Sequence, residues 1–138
     1  MEKTLVMIKP DAIHKNLIGT IIKVYEAHGL KISNMYMTLA TRSILEKHYQ
    51  EHLGQVFFEP LIEFMSSQPI IVMTLEGENA VEVVREINGA TNPANARPCT
   101  IRYLYGSNVQ QNAVHGSATI EDAKREISIW FADSEEEH

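Results

Sequence analysis

Asn112-Ala113-Val114-His115-Gly116-Ser117 sets an amide, an imidazole and a hydroxyl close together, and a carboxylate, Glu126, follows at the edge of an apolar helical face. A carboxylate bordering a buried face is costly unless it has a partner. A histidine N–H is a good one. If Glu126 holds one ring nitrogen of His115 as N–H, the other keeps its lone pair, and an imidazole so held can act as a nucleophile near neutral pH. Gly116 would let the backbone turn or a ligand approach closely. A core histidine bonded to a carboxylate for structure alone accounts for these residues equally well.

Three cations separate the two readings. Lys9 follows an apolar run, Arg85 lies off the apolar stripe of its segment, and Arg102 lies in a long connection that also offers Thr91, Asn92 and Asn95. Singly, each is an ordinary surface charge. Together with a nucleophilic histidine they make a phosphate clamp, and phosphoryl transfer is catalysed mainly by positioning and charge neutralisation. His48 and His52, at i and i+4, could hold a metal on a helix. They sit in a polar stretch expected to be exposed and have no evident third ligand, so no protein metal site is expected. Walker A, dinucleotide-binding, protein-kinase and H-E-x-x-H signatures are all missing.

These groups need elements to position them. Leu5-Val6-Met7-Ile8 is a continuous apolar run suited to a strand buried on both faces, and Lys9-Pro10-Asp11 ends it. Helical spacing starts at Leu17 and stops at Gly29. Lys31 to Leu39 reads as a strand, Thr41 to Gln50 leans helical, and Phe57 to Met65 suits a short amphipathic helix. Pro69 to Leu75 is a further buried strand. Asn79, with Glu82 three residues on, is placed to cap the next helix, which Gly89 ends. Ala90 to Gln111 shows little periodicity and reads as a long functional connection. A short strand over Asn112 to Gly116 precedes a last helix capped by Thr119, with Ile120, Ala123, Ile127, Trp130 and Phe131 as its buried stripe. Alternating strands and helices of this kind suit an α/β or α+β sandwich.

Composition agrees. The 138 residues are 44% apolar and 22% charged, which fits one domain over 1–138 with an acidic tail from about 132 to 138. A net charge of −6 opposes a general nucleic-acid or anionic-membrane surface. Phosphate would have to be bound by a few placed cations. Cys99 is the only cysteine, no apolar run nears the roughly 20 residues of a membrane span, and Met1 to Thr4 lacks the start of a secretory signal. A cytoplasmic protein is expected.

The ordered motifs resemble the nucleoside diphosphate kinase family from about Lys3 to Phe131. N-x-x-H-G-S appears as Asn112 to Ser117 and E-x-A-x-x-E-I as Glu121 to Ile127. K-P-D-A is Lys9 to Ala12, G-A-T-N-P is Gly89 to Pro93, T-I-R is Thr100 to Arg102, H-Y is His48-Tyr49 and F-F is Phe57-Phe58. The resemblance implies a ferredoxin-like βαββαβ fold with a four-stranded antiparallel sheet covered by helices. It implies ping-pong transfer of the γ-phosphate of a nucleoside triphosphate, mainly ATP, to nucleoside diphosphates, maintaining NTP and dNTP pools. In that family the histidine matching His115 is phosphorylated on Nδ1, and Glu126 matches the glutamate that orients it. Ser117 and Tyr49 match a serine and a tyrosine beside the histidine. Lys9, Arg85, Thr91, Arg102 and Asn112 match residues that grip phosphate or ribose. Phe57 matches the aromatic on which the base stacks, and Val109 packs on its other face; stacking reads any π-face. Mg²⁺ would arrive on the nucleotide phosphates, and a homo-oligomer, tetramer or hexamer, is implied.

Several positions depart from the family pattern. Ala118 stands where aspartate is common, Cys99 and Tyr103 replace glycines, Gln55 replaces a frequent basic residue, and Gln110-Gln111 replaces the G-R of some members. An idle nucleotide-binding homologue would share most of these motifs. An RNA-binding module on the same sheet would need clustered strand aromatics and a less acidic surface.

Overall fold

The Leu5–Ile8 run forms the centre of β1 (Glu2–Ile8), where every residue from Thr4 on is buried. The computed structural model describes residues 1–132; the tail expected beyond them lies outside the described residues. β1 pairs with β3 (Ile70–Gly77) on one side and with β4 (Val114–Gly116) on the other, and β2 (Lys31–Thr38) lies beyond β3. All three pairings are antiparallel, in the order β2-β3-β1-β4. This is the expected four-stranded sheet. β3 is as apolar as β1 because it is also central.

Alternation along the two central strands feeds two cores. Val6, Ile8, Ile71, Met73 and Leu75 pack against α2 (Ile18–Ala27) and α5 (Ala80–Asn88), through Ile21, Tyr25, Val84 and Ile87. Leu5, Met7, Ile70 and Val72 take the opposite face. They meet α3 (Arg42–His48), α4 (Phe58–Ser66) and α7 (Ile120–Trp130) through Leu45, Phe58, Ile62, Ile127 and Trp130. Each fully buried Leu, Ile, Met or Phe contributes roughly 1.5–3 kcal/mol, so helices on both faces let one thin sheet supply two stabilising layers.

Two helices fall where none is expected. α1 (Pro10–His14) begins on Pro10, whose ring suits a first helical position and whose missing N–H costs nothing there. α6 (Ile101–Tyr105) lies inside the supposed long connection, capped by Thr100, whose Oγ1 accepts from the Tyr103 N–H. Each is about one turn, too short to show a period. Thr119 caps α7 as expected, accepting from the Asp122 N–H at 3.0 Å. Asn79 does not cap α5. It sits at φ 53, and the Val81 N–H is met instead by Glu2 Oε1 at 2.9 Å. Ile120 is 50% exposed, since the first residue of α7 precedes the turns that reach the sheet; the rest of the expected stripe is buried.

Candidate active site

Strand pairing decides where His115 points. Met7 lies directly opposite it across the β1–β4 ladder, and opposed residues share a face. Met7 belongs to the core under α7, so the imidazole is delivered to Glu126 and His48. The approach to β4 is held firmly. Ala113 adopts φ 73, a left-handed conformation unusual for a residue with a Cβ. Its N–H donates to Asp11 Oδ2 at 3.0 Å and its C=O accepts from the Lys9 N–H at 2.9 Å. Gly116 lines the cleft beside His115, and a Cβ there would come within 2.9 Å of both Val84 and Asn88, so the glycine also lets α5 close on β4.

His115 Nε2 lies 2.8 Å from Glu126 Oε1. Ser117 Oγ donates to the same oxygen at 2.8 Å, and the Leu5 N–H donates to Ser117 Oγ at 3.3 Å. Glu126 is buried, with Arg125 Nη2 3.7 Å from its second oxygen. Burial alone would raise its pKa. The hydrogen bond from His115, the charges of His115 and His48 and the Ser117 bond outweigh burial and hold it down to about 2. A carboxylate that stays ionised keeps a proton on Nε2, which leaves Nδ1 with the lone pair.

His48 corrects an expectation. It is buried rather than exposed, and its ring lies 4.7 Å from that of His115 at 77°. Trp130 Nε1–H donates to its Nδ1 at 3.1 Å. Burial first, then the neighbouring His115, push its pKa well below the usual histidine range. Ligand atoms of His48, His115 and Glu126 all fall within 4.8 Å of one another. This trio, not His48 with His52, is the metal-like cluster among the described residues. Its chemistry opposes a metal: an ion on Nε2 of neutral His48 would need a proton on Nδ1, where the Trp130 N–H already points. Tyr49 is buried beside His48, ring centroids 4.5 Å apart, and burial followed by the Glu126 charge raises its pKa.

His115 opens on a cleft of about 1320 Å³ that Lys9, Tyr49, Phe57, Arg85, Thr91, Arg102, Val109 and Asn112 also line. Ser117 and Glu126 stand behind the histidine, and Ser117 supports Glu126 rather than the ring. Lys9 is buried and donates from Nζ to the Gln110 C=O at 2.7 Å and to Asn112 Oδ1 at 2.9 Å. Burial lowers its pKa to about 8, against the pull of Asp11 and with a push from Arg102. Asn112 completes the brace, donating from Nδ2 to the Thr91 C=O at 3.0 Å. Arg102, on α6 rather than a loop, donates to the Gly89 and Val114 carbonyls, both at 2.8 Å. The close approach needs Gly89, at φ 85, where a Cβ would collide with the Thr100 side chain. Arg85 is exposed and donates to the Ala118 C=O at 3.2 Å. None of the three cations forms an ion pair among the described residues. Carbonyl and amide oxygens orient them and none is directly paired with a carboxylate among the described residues, which is the electrostatic form of an anion site.

Asp11, His48, Trp130 and Gln110 also belong to the site, and the sequence does not single them out as parts of it. Asp11 and His48 stand inside quoted motifs. Trp130 and Gln110 act through contacts that no local pattern displays.

A profile of the nucleoside diphosphate kinase family matches residues 2–136. A nucleoside diphosphate kinase of Caldanaerobacter subterraneus subsp. tengcongensis is 52% identical over 131 residues, covering 95% of this chain and 94% of its own. One of Staphylococcus epidermidis is 49% identical over 135 residues, covering 98% and 91%. Among solved structures, the apo nucleoside diphosphate kinase of Encephalitozoon cuniculi superposes with a TM-score of 0.94 at 39% identity, covering 97% of this chain and 91% of that one. That of Aquifex aeolicus gives 0.91 at 38% identity, covering 94% of each. Among the described residues no helix is long and apolar enough to cross a membrane.

Proposed function

The chain belongs to the nucleoside diphosphate kinase family, and from that premise we propose that its transfer of a terminal phosphate between nucleotides passes through His115. The observation that carries this reading is the pairing of an oriented imidazole with three cations that form no ion pair among the described residues. Nδ1 attacks the γ-phosphorus of a nucleoside triphosphate, mainly ATP. An N–P bond forms, the bond to the β-phosphate oxygen breaks, and the diphosphate leaves with the electron pair. A second diphosphate then attacks through a terminal oxygen and takes the phosphoryl group, which regenerates the lone pair.

Each site residue has a part. Glu126 holds Nε2–H and offsets the charge that the ring gains, and Ser117 fixes Glu126. Lys9, Arg85 and Arg102 neutralise phosphate oxygens. Asn112 and Thr91 brace Lys9 and face the ribose and phosphates, and Tyr49 closes the wall by the ring. Phe57 and Val109 take the base between them; a stacked base shows no edge to be read, so base choice is broad.

Magnesium would come bound to the nucleotide phosphates and would supply charge neutralisation there. This ion prefers oxygen ligands, and the one metal-like cluster among the described residues carries two imidazoles, so the phosphates rather than the protein would hold it. The working unit is one domain over 1–138, cytoplasmic and homo-oligomeric as a tetramer or hexamer. Half-exposed Met35 and Met37 on edge strand β2 support a partner copy.

The test is labelling by γ-³²P-ATP. The label should be acid-labile and alkali-stable, should chase onto GDP or dCDP, and should be lost in His115→Gln. A His115→Gln protein that still labels and still transfers would overturn the mechanism.

A further inference from the structure

The base slot has two walls from distant parts of the chain. Phe57 immediately precedes α4, and Val109 lies in the connection between α6 and β4. Both line the cleft, and they are 47% and 56% exposed. Stacking needs these walls about two van der Waals contacts apart, so something must set their spacing.

We propose that Gln110 is a positioning residue that pins the Val109 wall to the Phe57 wall and thereby sets the grip on the nucleobase; this rests on the nucleotide reading above. Gln110 Nε2 donates to the Pro60 C=O at 2.8 Å. Pro60 is three residues past Phe57 in the first turn of α4, hence on the same side of that turn. Gln110 itself adjoins Val109, so one hydrogen bond ties neighbour to neighbour across the slot. Among the described residues it is the hydrogen bond that joins this connection to α4.

The backbone of Gln110 is already fixed. Its N–H donates to Asn108 Oδ1 at 3.0 Å, and its C=O accepts from Lys9 Nζ at 2.7 Å. The side chain is therefore what extends this order to the far wall. Lys9 bonds the backbone C=O of Gln110 and not its side chain, so a change of side chain tests the base slot apart from the phosphate cations. Family members with glycine at this place have no side chain with which to make the link.

The experiment compares the unaltered protein with Gln110→Gly and with Gln110→Glu, which keeps the length but removes the donor. Equilibrium binding is measured for ADP and for ribose 5-diphosphate, which has no base, alongside steady-state kcat and KM with ATP and GDP. Both variants should weaken ADP binding and raise KM by about threefold to tenfold, the weight of one neutral hydrogen bond. Ribose 5-diphosphate binding and kcat should move by less than about twofold. Unchanged ADP affinity in both variants, or equal losses for ADP and ribose 5-diphosphate, would overturn the role of Gln110. Failure of ATP to label the unaltered protein would instead sink the phosphohistidine reading, and the binding comparison would still judge Gln110.

Discussion

The two halves of the cleft differ in how complete they are without a ligand. Behind the reactive nitrogen of His115 the polar groups meet protein partners: His115 Nε2 and Ser117 both bond Glu126, and Trp130 bonds His48. Around Lys9, Arg85 and Arg102 the cations are aimed by carbonyls and form no ion pair among the described residues. The first half stores orientation and should contribute to stability. The second stores unspent positive charge and should cost stability until an anion arrives.

The largest effects should come from breaking the second half. Lys9→Met removes a buried charge and keeps most of the volume. It should lower kcat/KM by about 10²- to 10³-fold, as loss of one charge-stabilising donor does, while leaving the apo protein's Tm level or higher. A Tm drop of many degrees would mean that Lys9 is structural. The pH dependence follows with a definite sign. The lysine pKa falls from 10.5 to about 8 on folding, so between those values the unfolded chain binds more protons and stability rises with pH. Nucleotide phosphates should restore the ammonium. ADP binding near pH 8.5 should therefore take up a proton, visible as a buffer-dependent binding enthalpy that disappears in Lys9→Met.

Disturbing the first half should cost less activity and more stability. Glu126→Ala should lower kcat by about 10- to 100-fold, the range of a hydrogen bond to a charged group, because the ring survives but loses its orientation. It should also lower Tm, the opposite of Lys9→Met. The glutamate pKa falls from 4.5 to about 2 on folding. Its stabilisation is therefore present above about pH 4.5 and lost as pH falls from there toward 2. Glu126→Gln should flatten that part of a stability–pH curve. An unchanged acid limb would show that the carboxylate is not tied to His115 in solution.

This contrast was only partly legible beforehand. The His115–Glu126 pairing could be read because a histidine beside a strand and a carboxylate on a helix edge are local features, and the long strands and helices announced themselves by period. His48 could not. It sits in a polar run, and what buries it is Trp130, 82 residues away. Arg102 reads as a loop residue in the sequence because α6 is a single turn. Asn79 had the right residue type for a cap, but the turn out of β3 forces it to φ 53 and Glu2 takes over. Gly116 lines the cleft, but its second service, admitting α5, shows only in the fold. Tertiary contacts overrode local preference at each of these points.

The smallest prediction tests the backbone of the two halves. Each holds a non-glycine residue at φ 73, Ala113 before His115 and Cys99 before α6. Ala113 is buried and bonded at both its N–H and its C=O, to Asp11 and Lys9. Cys99 is exposed and stands where the family pattern has glycine. A left-handed conformation costs a residue with a Cβ about 1–2 kcal/mol, and glycine returns about 0.5–1 kcal/mol of that as lost freedom on folding. Cys99→Gly should thus stabilise the protein by up to about 1 kcal/mol, a Tm rise of a few degrees, with little change in kcat. Ala113→Gly relieves the same strain but loosens the segment that aims His115, so it should lower kcat while changing Tm no more than Cys99→Gly does. If the two substitutions change kcat alike, the segment before His115 is no more an aiming device than the loop before α6.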